Sequence, residues 1–285
     1  MKVLVTGDKG FVGLETVKSL DGNYIGYDVM DGFDIRDIEQ LEAVVREERP
    51  TAILHLAAIA RFTDSDRNPL LAFETNVLGT KNIVEVCAKR HIPLVYASTG
   101  SVYMPITRPP PITEDFECKG NSVYGCTKFM GEEYVRRHSP HIILRYAHLY
   151  GNEKRMHGLI GGFLDRIERG LAPMLYGGQQ SNDFTYIKDV VQANLLALKS
   201  PWDKWNQTYN IGTGQEITSE DAGRLICDLS RYKGEMTIRE GRTVDPSRFV
   251  YSIEKAKTML GYEPKYNFHD GLKDMFEERS KKVNE

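Results

Sequence analysis

Short apolar runs alternate with amphipathic stretches through the first half of the chain. Val3 to Thr6, Tyr24 to Asp28, Thr51 to Ala58, Pro93 to Ser98 and His141 to Ala147 read as strands, and their nearly unbroken apolar character predicts a parallel sheet covered on both faces. Between them, the segment ending at Leu20, the stretch after Asp37 through Arg49, the long run Leu70 to Arg90 and the run Ser122 to Arg137 carry helical spacing. Strand and helix in alternation predict an α/β fold, a doubly wound parallel sheet over residues 1–150. Past Tyr150 the pattern breaks into glycine-rich turns (Gly158, Gly161, Gly162, Gly177, Gly178), separated helices and short strands. A smaller α/β lobe, residues 151–285, is expected to close over the carboxyl edge of the sheet and hold substrate, with residues 183–212 packing back on the first domain.

The first strand runs into Gly7, Gly10 and Gly13, and a helix follows at once. Strand, glycine turn and helix N-terminus together cradle a pyrophosphate: glycine supplies the backbone angles, and a side chain at Gly10 would keep phosphate from the helix N–H groups. Asp28 closes the second strand, where an acid suits the two ribose hydroxyls of NAD and repels the extra phosphate of NADP. NAD is therefore the expected cofactor.

Charge and composition narrow the partners. A net charge of −3 over 285 residues, with no long basic run, gives no reason to expect nucleic acid or a membrane surface. The first strand begins at Lys2 and no apolar run nears the ~20 residues of a membrane span, so a cytoplasmic protein acting on a small molecule is expected. Cys87, Cys118, Cys126 and Cys227 have no metal-type spacing, and His138 and His141 lack acidic or cysteine partners, so no metal site is expected.

Tyr124 and Lys128 stand four residues apart at the start of a predicted helix, which places phenol and ammonium on one face. A phenol titrates near ~10, and a neighbouring Lys⁺ together with a cationic nicotinamide would favour the phenolate, a base for a sugar or alcohol hydroxyl. Ser98 and Thr99 end a strand at the same sheet edge. Either hydroxyl could bond the reacting oxygen, or merely cap the strand end.

In their order and spacing these segments resemble the extended short-chain dehydrogenase/reductases, within the NAD-dependent epimerase/dehydratase family, and most of all its UDP-glucose 4-epimerase branch. The resemblance runs through Thr6-Gly-Asp-Lys-Gly-Phe-Val-Gly13, Asp34-Ile35, His55-Leu-Ala-Ala58, Asn76-Val-Leu-Gly-Thr80, Ser98-Thr99, Tyr124 to Lys128, Arg145 to Gly151, Asp183 to Val190, Tyr209-Asn-Ile-Gly212 and Leu260 to Pro264. It implies a Rossmann-type domain in which Phe11 and Val12 lie along the pyrophosphate, Asp34 and Ile35 flank adenine, and Leu56, Ala57 and Ala58 line the nicotinamide side. Asn76, Ser98, Tyr124 and Lys128 complete the cofactor set, and Thr99, Tyr124 and Lys128 become the catalytic set. The implied chemistry is a concealed redox cycle on a nucleotide sugar such as a UDP-hexose, with NAD retained. The apolar faces of the helices Leu70 to Arg90 and Ser122 to Arg137 are either core or, as the resemblance implies, the interface of a homodimer.

Three positions qualify the substrate. Similar 4,6-dehydratases carry an Asp-Glu pair directly after the threonine, and Gly100-Ser101 supplies neither acid nor base, which favours epimerisation or simple oxidation. His148 stands where the family holds the nucleotide sugar with asparagine, and Asn182 where an arginine clamps the diphosphate; asparagine cannot replace a bidentate guanidinium. Arg239, helped by Arg242 or Arg155, could bear that load, or be only a solvated strand-end charge. His148 is likewise either a ligand for phosphate or hydroxyl, or hydrogen-bonded structure. The rival to the epimerase is therefore a sugar or sugar-acid dehydrogenase/reductase using the same catalytic residues; a non-catalytic dinucleotide sensor would have no use for the tuned phenol.

Overall fold

Val3 to Thr6 are all buried, with Val3 and Val5 entering one apolar cluster and Leu4 the other. Successive strand side chains point to opposite faces, so a strand apolar throughout needs cover on both. A computed structural model, describing residues 1–138, 140–151, 158–241 and 248–283, supplies that cover from helices on each side of one sheet.

Chain order runs β1 (Val3–Thr6), α1 (Phe11–Lys18), β2 (Tyr24–Tyr27), α2 (Ile38–Glu48), β3 (Ala52–His55), α3 (Phe62–Arg67), α4 (Pro69–Phe73), α5 (Thr80–Arg90), β4 (Leu94–Thr99), α6 (Val123–Val135), β5 (His141–Tyr146) and β6 (His148–Tyr150). It continues through α7 (Gly158–Glu168), β7 (Met174–Tyr176), β8 (Ser181–Asn182), β9 (Phe184–Tyr186), α8 (Ile187–Leu198), β10 (Gln207–Ile211), β11 (Ile217–Thr218), α9 (Ser219–Leu229), β12 (Thr237–Arg239), β13 (Arg248–Phe249) and α10 (Phe268–Val283). Six parallel strands form the main sheet in the order β10-β5-β4-β3-β1-β2. The chain leaves β1 toward β2 on one side and resumes at β3 on the other, so the switch point that opens a crevice in such sheets falls between β1 and β3.

The second half is built of small pieces: β7 with β12, β6 with β9, and β8 between β11 and β13. Two of its elements return to the large sheet, β10 as its edge strand and α8 against α1. One apolar cluster runs from Val3 to Met275, joining both halves.

Two elements differ from the sequence pattern. The strand expected over Thr51 to Ala58 ends at His55: Leu56 N makes the last ladder bond, to Thr6 O (3.0 Å), and Ala57 N turns instead to the Thr6 side chain (3.3 Å). The run expected as one helix from Leu70 to Arg90 begins at Pro69 and passes through a π-helical turn over Glu74–Gly79, widened at the buried Asn76. Gly79 lets the turn approach Ile35, whose Cδ1 would lie 2.6 Å from an added Cβ.

Candidate active site

Gly7 has φ +73°, and an added Cβ there would lie 2.7 Å from Ala57 N; at Gly13 it would lie 2.2 Å from Gly7 O. The turn thus requires glycine at both positions to hold β1, α1 and the loop after β3 together. Gly10 is the N-cap of α1 and supplies no side-chain cap, so the first N–H groups of α1, at Phe11 and Val12, stay open at the switch point. A pyrophosphate fits that donor set. Asp28 borders it: Oδ2 accepts from Lys9 N at 3.3 Å and Oδ1 from Met30 N at 2.9 Å.

The far side of the crevice rests on a buried relay. Thr6 Oγ1 is 2.7 Å from His55 Nδ1, His55 Nε2 is 3.0 Å from Thr80 Oγ1, and Ala57 N donates to Thr6 Oγ1 at 3.3 Å. Burial, followed by the charge of Lys128, holds His55 neutral. Asn76 acts as a clamp: Oδ1 accepts from Ile59 N (2.8 Å), and Nδ2 donates to Ile59 O (3.1 Å) and Thr127 Oγ1 (3.0 Å). It ties the loop carrying Leu56, Ala57 and Ala58 to α6. Both amide hydrogens and one lone pair of its oxygen are engaged within the protein, so what the structure shows for Asn76 is positioning of this loop.

Two other expected cofactor residues are also committed elsewhere. The Ile35 side chain is buried in the second apolar cluster, leaving its backbone to a ligand. Asp34 is gripped by Arg36 (Nη2–Oδ2 2.6 Å), whose hydrogen bonds hold the carboxyl below its ordinary range. Arg36 in turn reaches Glu74 at 3.2 Å.

Ser122 caps α6, its Oγ accepting from Gly125 N at 3.0 Å, and an added Cβ at Gly125 would meet Ser101 O at 2.7 Å. This contact presses the first turn of α6 against the end of β4 and brings Tyr124 to Thr99. Burial raises the Tyr124 phenol to about 12, while the Thr99 hydroxyl lowers it. Burial lowers Lys128 to about 7, opposed by Glu132. The ammonium lies 4.0 Å from the centre of the Tyr96 ring, and Phe62 meets Tyr124 edge-on at 5.5 Å. Expected phenol, ammonium and threonine are therefore brought together at one sheet edge.

Ser98 is not part of that group. Its hydroxyl donates to Glu132 Oε1 at 2.5 Å, inside a network the sequence reading missed: Arg145 grips Glu132 with Nε (2.9 Å) and Nη2 (2.6 Å), and Tyr103 OH links Arg145 to Asn210. Burial raises the Glu132 carboxyl, and Arg145 outweighs it, holding the group ionised. One signal was available: an arginine in the apolar strand His-Ile-Ile-Leu-Arg145-Tyr must have a buried acid as partner.

Of the expected substrate residues, His148 and Asn182 meet at Phe249. His148 is exposed, with its ring edge-on to Phe249 (5.1 Å) and beside Phe184. Asn182 pairs with Phe249 in strand register and has Nδ2 3.5 Å from Ser219 Oγ. Arg248, on the opposite face of β13, grips Glu216 and cannot stand in for the missing guanidinium. Arg239 is exposed at the end of β12 and forms no ion pair among the described residues; Arg155 and Arg242 lie outside them.

At Gly100, directly after Thr99, an added Cβ would lie 2.3 Å from Phe249 Cζ and 2.7 Å from Tyr251 OH. Two aromatic side chains fill the room that a side chain at this position would need.

Comparison with known proteins agrees with this geometry. The profile described as the NAD dependent epimerase/dehydratase family matches residues 3–212. An uncharacterised UDP-glucose epimerase of Bacillus subtilis is 31% identical over 95% of this chain and 96% of its own. Among solved structures, UDP-glucose 4-epimerase from Thermotoga maritima with UDP-glucose superposes with a TM-score of 0.91 at 30% identity, covering 99% of this chain and 100% of that one. The Thermus thermophilus UDP-glucose 4-epimerase complex with NAD gives 0.86 at 29%, covering 97% and 98%. dTDP-glucose 4,6-dehydratases are also among the relatives. With a family profile spanning most of the chain and full-length relatives that share its fold, the protein is an enzyme belonging to the NAD-dependent epimerase/dehydratase family.

Proposed function

We propose that the protein is an NAD-dependent nucleotide-sugar epimerase that inverts C4 of a UDP-hexose, with Tyr124 as base, Lys128 tuning it and Thr99 bonding the reacting oxygen. Gly100 carries the choice of reaction. A 4,6-dehydration needs an acid and a base beside the neighbouring carbons, and Phe249 and Tyr251 leave no room for a side chain next to Thr99. Removal and return of hydrogen at a single carbon needs only the phenol.

In this reading Gly7, Gly10, Phe11, Val12 and Gly13 hold the NAD pyrophosphate, Asp28 its adenosine ribose, Asp34 and the backbone of Ile35 its adenine, and Leu56 to Ala58 the nicotinamide side. Bound there, NAD would supply the acceptor and donor of the sugar's hydride. Tyr124 takes the C4 hydroxyl proton and later returns it to the inverted alcohol. Its phenol is held high by burial, so deprotonation depends on nearby positive charge, and Lys128, titrating near neutrality, supplies part of it. Leu70, Phe73, Leu78 and Met130 are exposed on α4, the π turn and α6, apolar surface that a second copy would cover. The enzyme would work in the cytoplasm as a homodimer.

One observation favours a second reading, a dehydrogenase or reductase acting on a sugar or sugar acid without a diphosphate: Asn182 offers no guanidinium, and Arg248 is tied to Glu216. Incubation with UDP-galactose and no added NAD separates the two. Conversion to UDP-glucose without net nicotinamide reduction is expected; no conversion, with stoichiometric reduction of added NAD by free sugars or sugar acids, would replace the epimerase by the dehydrogenase.

A further inference from the structure

Asp8 lies within the glycine turn, between Gly7 and Gly10, and is only 2% exposed. Its Oδ1 is, among the described residues, the buried side-chain oxygen without a hydrogen-bond partner. Its Oδ2 rests on β2 at Gly26, where an added Cβ would come within 2.5 Å of it. Gly26 and the extended Asp28 are two residues apart and share a face of the chain, so the two carboxylates have footholds roughly 7 Å apart along β2. Lys9 is the counterion: its Nζ is 3.2 Å from Asp31 and 3.8 Å from Asp8, and its N–H bonds Asp28. Two carboxylates share the Lys9 ammonium and a third, Asp28, takes its backbone N–H at the carboxyl end of β2.

A buried carboxylate with an unpartnered oxygen weakens a fold, and burial raises the Asp8 carboxyl above its ordinary value, opposed by Lys9 and the Tyr27 backbone. We propose that Asp8, together with Asp28, makes the nucleotide site select a free ribose 2′-hydroxyl over a 2′-phosphate. The inference rests on the reading of the glycine turn as the NAD site. A 2′-phosphate is dianionic and would enter beside a surplus of negative charge, and Asp8, buried beneath the turn, is screened little by salt. Asp28 is half-buried and held at the edge by the N–H groups of Lys9 and Met30, and Asp8 is held beneath it over Gly26. Gly26 is thereby explained as the residue that leaves room for the carboxylate.

The test uses wild-type protein, Asp8→Asn, Asp28→Asn and the double variant. Each is equilibrated with equimolar NAD⁺ and NADP⁺ until the bound ratio is constant, freed of unbound nucleotide and denatured, and the released nucleotides are quantified by chromatography. Asp8→Asn keeps the shape and removes the charge, and is expected to lower the bound NAD⁺:NADP⁺ ratio by about tenfold, with the double variant lower than either single. Gly26→Ala, which displaces the carboxylate without removing it, should lower the ratio too; Asp8→Gly gives the same reading should Asp8→Asn fail to fold. A wild-type preference for NAD⁺ that Asp8→Asn leaves within twofold overturns the role of Asp8 alone. Wild-type protein that retains neither nucleotide overturns the NAD reading and this inference with it.

Discussion

Lys128 is 2% exposed, and burial lowers its pKa from 10.5 to about 7. Between those values the unfolded chain holds a proton that the folded protein does not, so stability rises with pH across that window and the penalty is full below it. At ~1.4 kcal/mol per unit, the penalty approaches ~5 kcal/mol at pH 6 and falls to ~2 kcal/mol at pH 9. Lys128→Met removes it while filling the same space, and Glu132 stays paired with Arg145 and Arg136. The variant should therefore gain stability over wild type by ~3 kcal/mol more at pH 6 than at pH 9, about 5 °C of extra Tm for a chain of this size. Thermal unfolding of nucleotide-free wild type and variant, followed by circular dichroism in both buffers, measures the difference of differences, in which titrating groups not coupled to Lys128 cancel. An equal gain at the two pH values, or a loss that grows as pH falls, would show that Lys128 is not a desolvated ammonium and would remove the basis for its tuning of Tyr124.

Three other outcomes follow from the same geometry. Tyr124→Phe should lower kcat by ~10²–10⁴ while leaving bound nucleotide content unchanged, as measured by turnover and by chromatography of released nucleotide. Gly100→Ala should cost ~1–3 kcal/mol by overpacking against Phe249, and Phe249→Leu should restore part of it in a denaturant-unfolding double-mutant cycle. Asn76→Ala leaves the Ile59 N–H and carbonyl without their partner, and should cost ~1–3 kcal/mol and speed amide hydrogen exchange across residues 57–61 relative to the β-sheet.

The legible parts of the sequence were those that local spacing decides. Gly7, Gly10 and Gly13 after an apolar run, and Tyr124 four residues before Lys128, are contained in single segments, and the fold keeps them as written. Ser98 and Thr99 were legible as a pair but not as individuals. Adjacent strand residues point to opposite faces, so only one can reach the cleft, and which one depended on Glu132 lying under β4. The clamp made by Asn76 was hidden for the same kind of reason. Its partners Ile59 and Thr127 are distant in sequence, and the π turn that admits it leaves no periodic trace. The filling of the space at Gly100 by Phe249 depends on a contact between β13 and the end of β4, and no sequence period reports it. The substrate end stayed open because Arg239, His148 and Asn182 have functions only relative to a ligand.

The proposed epimerase cycle requires one carbon to give up its hydrogen and take it back. UDP-galactose carrying deuterium at C4, incubated with the protein in ordinary water without added NAD, follows that atom by nuclear magnetic resonance of the product. Deuterium retained at C4 of UDP-glucose is the expected result. Product with the label exchanged for solvent hydrogen, or label appearing in released reduced nicotinamide with no UDP-glucose formed, would contradict a self-contained cycle driven by Tyr124 at a single carbon.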